Sequence, residues 1–503
     1  MIARVSLGMF SGAVCVMAAC HAGVAGPATA EPPSIPPARI PVAPLAPPAA
    51  DLTAGAPGED AAAAPDAGPP ACPDVDPAKA APFDLDTKVL GVPPPPIVDP
   101  AGVLAPFYDR LAALARGDAT DHVRVGFYGD SNMTRDYITG AMRRALAARF
   151  GDAGHGFVAL GRPWPWYLHE DVRHDVDLKT WQMFATSTHH APDGFYGFAN
   201  IAAEASVAGA TTWVRTAEES APIGKTVSRI DVYFLKRPAG GSFRIKIDGQ
   251  LIKTVSTAST AFEAGFEAID VPDAPHLLEC VAVGDGRVRL FGAVLERAPA
   301  PGAYGVVVDS LGVGALNFEQ MQHVDSKTRI AMLAHRKYDL VAFLLGTNMF
   351  APELHATWVR NVLADFRAAL PNTPILIMSP PDIVLDSADL HSDPRIVRLA
   401  RQMKAIAAEQ GAAFWDFRDA MGGDASIQAF IRRGLASTDH VHLTPAGGAV
   451  MGNRVVVALF DGFRRWLEAH PRAGCPGEVV APLAVAPGDA GVDGGAEAAP
   501  TSP

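Results

Sequence analysis

Between residues 85 and 470 the chain alternates stretches of helical spacing with short, wholly apolar runs, and nothing else in it restricts the fold as much. The helical stretches include "TRDYITGAMRRALAARFG", "ELHATWVRNVLADFRAAL", "PRIVRLARQMKAIAAEQG" and a last one after Thr444-Pro445. The apolar runs are "VRVGFYGDS", "YDLVAFLLGTN", "TPILIMSPPD" and "AAFWDF". A strand reads as continuously apolar when helices cover both of its faces, so the pattern predicts an α/β fold with a parallel sheet. "IVDPAGVLAPFYDRLAALARG" is expected to open its helix at Asp99-Pro100, and "FEQMQHVDSKTRIAMLAHR" is expected to be one helix.

The alternation stops from Ala202 to Glu296, where strands and turns follow one another. Asp248-Gly249, between two alternating runs, is a strong hairpin signal. This stretch predicts an all-β, jelly-roll-like sandwich over 201–297, inserted into an α/β domain made of 85–200 and 298–472.

Both ends have a different composition. Arg4 followed by the apolar stretch Val5 to Ala19 reads as an export signal over 1–20. Two cleavage readings stand side by side. Met17-Ala18-Ala19-Cys20 is lipobox-like and would make Cys20 a lipid anchor, whereas Ala28-Thr29-Ala30 would release the chain as a secreted protein. Residues 21–84 are rich in Pro, Ala and Gly, with nine prolines from Pro27 to Pro48. Each fixes φ and removes a donor, so an extended linker without a core is expected. Residues 473–503 are expected to be a tail of the same kind. Cys72 and Cys475 bracket the folded part, and export would allow them to pair. Cys280, in "LLECVAV", reads as a small buried hydrophobe.

The charge balance of 42 basic against 54 acidic residues argues against a nucleic-acid partner. No CxxC pair suggests a zinc ribbon, and oligomeric state is not legible.

Chemistry concentrates in four short stretches. Gly129-Asp130-Ser131-Asn132 lies where the first strand meets the next helix, and ligands bind at the carboxyl ends of such strands. A serine there exposes its hydroxyl beside its own N–H, which suits an acyl nucleophile. Asp439-His440-Val441-His442 places a carboxylate three residues before a histidine. Asp439 can then fix the tautomer of His442, and His442 can deprotonate Ser131. Gly346-Thr347-Asn348 ends another buried strand and offers the Asn348 amide to an oxyanion. Asp309-Ser310-Leu311-Gly312-Val313-Gly314 offers an unobstructed glycine N–H, from Gly314 or from Gly312.

Taken in this order on an α/β chain, the four stretches resemble the SGNH (GDSL) hydrolase family over 85–195 and 300–470. The resemblance implies a flavodoxin-like three-layer domain. It also implies Ser131 as nucleophile, His442 as base, Asp439 as its orienting carboxylate, and an oxyanion hole from the Ser131 N–H, Gly314 and Asn348. It implies no cofactor and no metal. A sandwich inserted between the serine and glycine blocks is similar to bacterial peptidoglycan O-acetylesterases, which implies an exported acetylesterase acting on an O-acetylated polysaccharide. An acyltransferase on the same triad, or an inactive surface polysaccharide binder, would share most of these features.

One more segment stands out. Trp164, Trp166 and Tyr167 fall almost together although the chain has only 7 Trp, and five His lie from His155 to His190. The aromatics read either as a sugar-stacking loop or as a satellite core. His169, His174, His189 and His190 fit no standard metal-ligand spacing. His335 is expected near a helix C-terminus, where the dipole favours it.

Overall fold

The computed structural model describes residues 72–85, 88–384, 391–472 and Cys475. The expected export signal, Cys20 and most of the two compositionally biased ends lie outside these residues.

Five parallel strands form the central sheet: β1 (Val123–Gly129), β2 (Val306–Gly312), β3 (Leu340–Leu344), β4 (Ile375–Met378) and β5 (Ala413–Trp415). Their order is β2-β1-β3-β4-β5, the flavodoxin-like arrangement. Side chains of β3 show why the runs are wholly apolar. Leu340, Ala342 and Leu344 pack on one face with helices α1 (Ala105–Arg116), α2 (Tyr137–Phe150) and α6 (Pro445–Ala469). Val341, Phe343 and Leu345 pack on the other, with α3 (Ser326–Arg336), α4 (His355–Ala369) and α5 (Pro394–Glu409). Alternate residues therefore serve two cores, and burying each such side chain contributes about 1.5–3 kcal/mol.

Between α2 and β2 the chain builds two antiparallel sheets. One pairs strands at Ile201–Ala205, Val227–Lys236, Glu263–Ala274 and Val288–Glu296 with two earlier ones, Gly154–Val158 and Gln182–Ala185. The other orders Arg173–Val176, Thr211–Arg215, Leu277–Ala282, Ser242–Ile247 and Gln250–Ser256. Their facing side chains, among them Val214, Phe234, Ile245 and Leu290, form a separate core that also encloses Cys280. The expected hairpin is present: Asp248 and Gly249 have φ of +51° and +79°, as a two-residue turn with two left-handed positions requires.

Four expectations need correction. The linker expected over 21–84 is not coreless at its end, where Pro77–Ala80 is a short helix and Val75, Ala80 and Phe83 pack against the α/β core. The β insertion begins at Gly154, not at 201, because three strands between 154 and 185 join its sheets. Those strands are only four or five residues long, too short to show a period. The helix expected to open at Asp99-Pro100 begins at Ala105 instead. Asp99 instead accepts from the N–H groups of Val103 (2.7 Å) and Leu104 (2.9 Å) in a preceding turn. The expected single helix before β3 is two, Phe318–Met321 and α3, because the Asp325 carboxylate caps a fresh start by accepting from Thr328 N–H at 2.8 Å.

Cys72 and Cys475 are joined by a disulfide across 403 residues of sequence. The α/β part and the insertion share a buried ionic seam. Asp309 in β2 accepts from Arg336 (2.7 and 2.9 Å), from the Tyr338 hydroxyl (2.6 Å) and from the N–H of Phe157 in the insertion (2.9 Å). Glu296 accepts from Arg336 at 2.7 Å and from Arg124 at 3.0 and 2.9 Å. His335, in the last turn of α3 as expected, reaches Asp231 of the insertion at 2.5 Å and stacks on Phe266.

Candidate active site

The site assembles at the carboxyl ends of three adjacent strands. β1 ends at Gly129 and leads into a single 3₁₀ turn, Ser131–Met133. The Asp130 side chain caps that turn by accepting from Asn132 N–H at 3.1 Å. Burial pushes the Asp130 carboxyl above the usual carboxylate range, against the hydrogen bonds it accepts. Close packing beneath the turn explains two glycines. A Cβ on Gly129 would lie 2.1 Å from Met133 Cγ, and one on Gly312 would lie 2.4 Å from the Met133 carbonyl carbon.

The Ser131 hydroxyl lies 2.8 Å from His442 Nε2, and His442 Nδ1 lies 2.7 Å from Asp439 Oδ2. Ser131 and His442 are 311 positions apart along the chain. The other Asp439 oxygen accepts from the N–H groups of Val441 and His442, both at 3.0 Å. Partial burial raises the Asp439 pKa, but the bonds from His442 and Val441 outweigh it, and the carboxyl stays below its usual range. It is ionised where an imidazolium would need it.

Asn132 joins the two halves of this constellation. Its Oδ1 accepts from Leu443 N–H at 2.9 Å and its Nδ2 reaches the Val441 carbonyl at 3.4 Å. The side chain thus pins the histidine loop to the serine turn. In the sequence it reads only as a tolerated variant. The one signal available is its place directly after the nucleophile.

A cleft of about 860 Å³ opens over Ser131 and His442. Gly314 lines it, and Gly312 does not. Asn348 lines it as well, and its Nδ2 is buried with no hydrogen-bond partner among the described residues. A buried amide donor left without an acceptor is costly, and a bound oxyanion would supply one. The Asn348 backbone is held from behind, where its carbonyl accepts from Asn317 Nδ2 at 2.8 Å.

The insertion supplies part of the cleft wall through Pro163, Trp164, Pro165, Trp166, Thr188 and His189. Trp166 is 53% exposed, whereas Trp164 is 9% exposed. Tyr167 does not line the cleft, and its expected contact with substrate is corrected. It is buried, accepts from Ala159 N–H at 3.2 Å and shares a 2.8 Å bond with His169 Nε2. Its polar end needs these buried partners. The aromatic stretch is therefore both things the sequence suggested, split between neighbouring residues.

The histidines do not gather as a metal set: His189 lines the cleft, while His169 and His174 stand ring to ring at 6.1 Å. Asp136, His155 and His169 do come within 4.8 Å of one another. However, both Asp136 oxygens accept from Arg143, at 2.9 and 3.1 Å, and that buried guanidinium opposes a second cation. The group is better described as a hydrogen-bonded chain, with His155 Nε2 3.0 Å from His169 Nδ1.

This chain predicts acid lability. Burial, reinforced by Arg143, holds His155 well below its ordinary value of 6.5, and burial holds His169 down to about 4. The unfolded chain then takes up protons first. The stability these residues contribute is present above pH 6.5 and falls as pH drops toward 4, by at most about 1.4 kcal/mol per pH unit for each histidine. Urea midpoints should decline from pH 7 to pH 5, and His169→Gln should flatten the decline. A midpoint constant over that range would contradict this.

Residues 276–450 match the GDSL-like Lipase/Acylhydrolase family. The match begins within the last strands of the insertion and does not reach the Ser131 turn. Together with the fold and the site geometry, it makes the chain similar to SGNH/GDSL-type ester hydrolases. In layout the chain resembles a solved structure described as "Peptidoglycan O-acetylesterase in action", with a TM-score of 0.60 and 21% identity, covering 73% of this chain and 99% of that one. A family two carbohydrate esterase from Clostridium thermocellum aligns over 56% of this chain and 98% of its own at 11% identity, with a TM-score of only 0.24. No curated protein matches the chain in sequence.

Proposed function

We propose that the chain is an exported esterase that removes O-acetyl groups from a cell-envelope polysaccharide such as peptidoglycan. The observation that carries this is the unbroken relay Asp439–His442–Ser131, at 2.7 and 2.8 Å, opening onto a cleft that holds an unpaired Asn348 amide.

In this reading Ser131 Oγ attacks the acetyl carbonyl while His442 takes its proton. The oxyanion meets three donors: the Ser131 N–H, the Gly314 N–H and Asn348 Nδ2. His442 then protonates the departing sugar oxygen, and water, activated by the same imidazole, releases acetate from Ser131. The His442 side chain is 43% exposed. Water can therefore reach the acyl-enzyme, which favours hydrolysis over transfer to a second sugar. Trp166, exposed on the cleft wall, supplies a face on which a sugar ring can stack.

Export is supported by the Cys72–Cys475 disulfide, since such bonds persist in oxidising compartments. Anchoring through Cys20 belongs to the same proposal. The substrate reading is tested by acetate release from O-acetylated peptidoglycan set against acetylated xylan. Faster release from peptidoglycan supports it, and release from xylan alone contradicts it. Asn348→Ala should lower kcat by about 10²–10³ with little change in KM, because its amide serves the transition state rather than the ground state. An unchanged kcat would remove Asn348 from the oxyanion hole.

A further inference from the structure

The geometry points to Arg135 as a specificity-determining residue that selects esters carrying a carboxylate near the acetyl group. This rests on the esterase reading above and extends it to the charge of the substrate.

Arg135 lies four residues after Ser131 and lines the same cleft. It is the only Lys or Arg in that lining, and no Asp or Glu lines the cleft with it, among the described residues. The chain as a whole carries a net charge of −12, so a cleft lined this way departs from the general balance. The nearest acid in sequence, Asp136, cannot neutralise Arg135. It is 1% exposed and already engaged by Arg143. Asp439 is committed to His442 and the loop N–H groups. Arg135 itself is exposed, forms no ion pair among the described residues, and makes only a 3.4 Å contact with the Tyr137 hydroxyl. Tyr137 lines the cleft too. The contact leans the guanidinium along the wall and leaves most of its five donors for a ligand.

A guanidinium presents paired N–H groups that match a carboxylate, and such charge-assisted bonds are stronger than neutral ones. A neutral acetylated glycan makes no use of this. A muramic acid residue that carries no stem peptide does, because its lactyl ether then adds a free carboxylate to the sugar that bears the acetyl ester. Trp166 would take the sugar face and Arg135 its charge.

The test uses a matched pair of sugars, 6-O-acetyl-N-acetylmuramic acid and 6-O-acetyl-N-acetylglucosamine, which differ in the lactyl group. The intact enzyme should favour the first by about tenfold in kcat/KM, chiefly through KM, and the ratio should shrink as salt rises. Arg135→Lys should keep most of the preference, Arg135→Gln should lose it, and Arg135→Glu should invert it. A ratio that Arg135→Glu leaves unchanged would overturn the inference. So would hydrolysis of neither sugar by an enzyme that still cleaves p-nitrophenyl acetate. Failure of the polysaccharide reading looks different: no acetate appears from O-acetylated peptidoglycan, whatever the ratio for the two sugars.

Discussion

Ser131→Ala is expected to reduce ester hydrolysis by about 10⁴- to 10⁶-fold while KM for a small ester changes little. The size of the effect follows from the absence of a substitute. Ser131 Oγ stands 2.8 Å from His442 Nε2, and the next hydroxyl in the immediate turn, on Thr134, donates to the Ser131 carbonyl at 2.8 Å. His442→Ala should fall in a similar range, and the double variant should be no worse than the worse single one, because the two act as a unit. Asp439→Asn should cost less than removing the serine, since the oriented imidazole would survive in part. Rates on p-nitrophenyl acetate, with folding checked by circular dichroism, decide the matter. Residual activity above about 1% in the serine variant would be far outside what loss of a nucleophile allows.

Asp309→Ala is expected to produce the largest loss of stability. The side chain is fully buried and accepts four hydrogen bonds, from Arg336 twice, Tyr338 and the Phe157 N–H. Removing it strands part of a buried guanidinium and orphans a backbone donor of the insertion. Breaking one partner of such a pair costs about 3–5 kcal/mol, which for a folded part of this size corresponds to a fall in Tm of roughly 5 °C. Asp309→Asn should lie between, keeping shape and losing charge. The seam joins β2 to the insertion, so both layers should lose cooperativity together. An unchanged Tm for the alanine variant would show that Glu296 and Arg124 alone hold the seam.

How far the sequence foretells these features differs from residue to residue. β3 is legible because Leu340 to Leu345 feed two cores by turns, and only a strand covered on both faces needs that pattern. Gly314, Ser131 and Asn348 are legible because the parallel order β2-β1-β3 sets them at neighbouring strand ends, the place where such folds bind ligands. The early strands of the insertion are not. Gly154–Val158 contains two glycines, both with positive φ, and its conformation follows from pairing with Ala293 to Glu296, more than 130 residues away in the sequence. Likewise Asp309 reads as part of a glycine-loop motif, while its partners Arg336 and Phe157 are brought to it only by tertiary packing. Asn132 and Arg135 sit in plain view beside the serine, but their roles depend on a loop from the far end of the chain and on which neighbouring acids are already taken.

The central claim is that Ser131 is the one hydroxyl made nucleophilic by this fold. A fluorophosphonate probe reports it directly, because it forms a covalent bond only with an activated serine. Incubation with the intact protein, followed by digestion and mass spectrometry, should find a single phosphonylated peptide containing Ser131. The adduct should be lost in Ser131→Ala and form far more slowly in His442→Ala. Labelling at another serine, or none in a protein that still hydrolyses esters, would contradict the account.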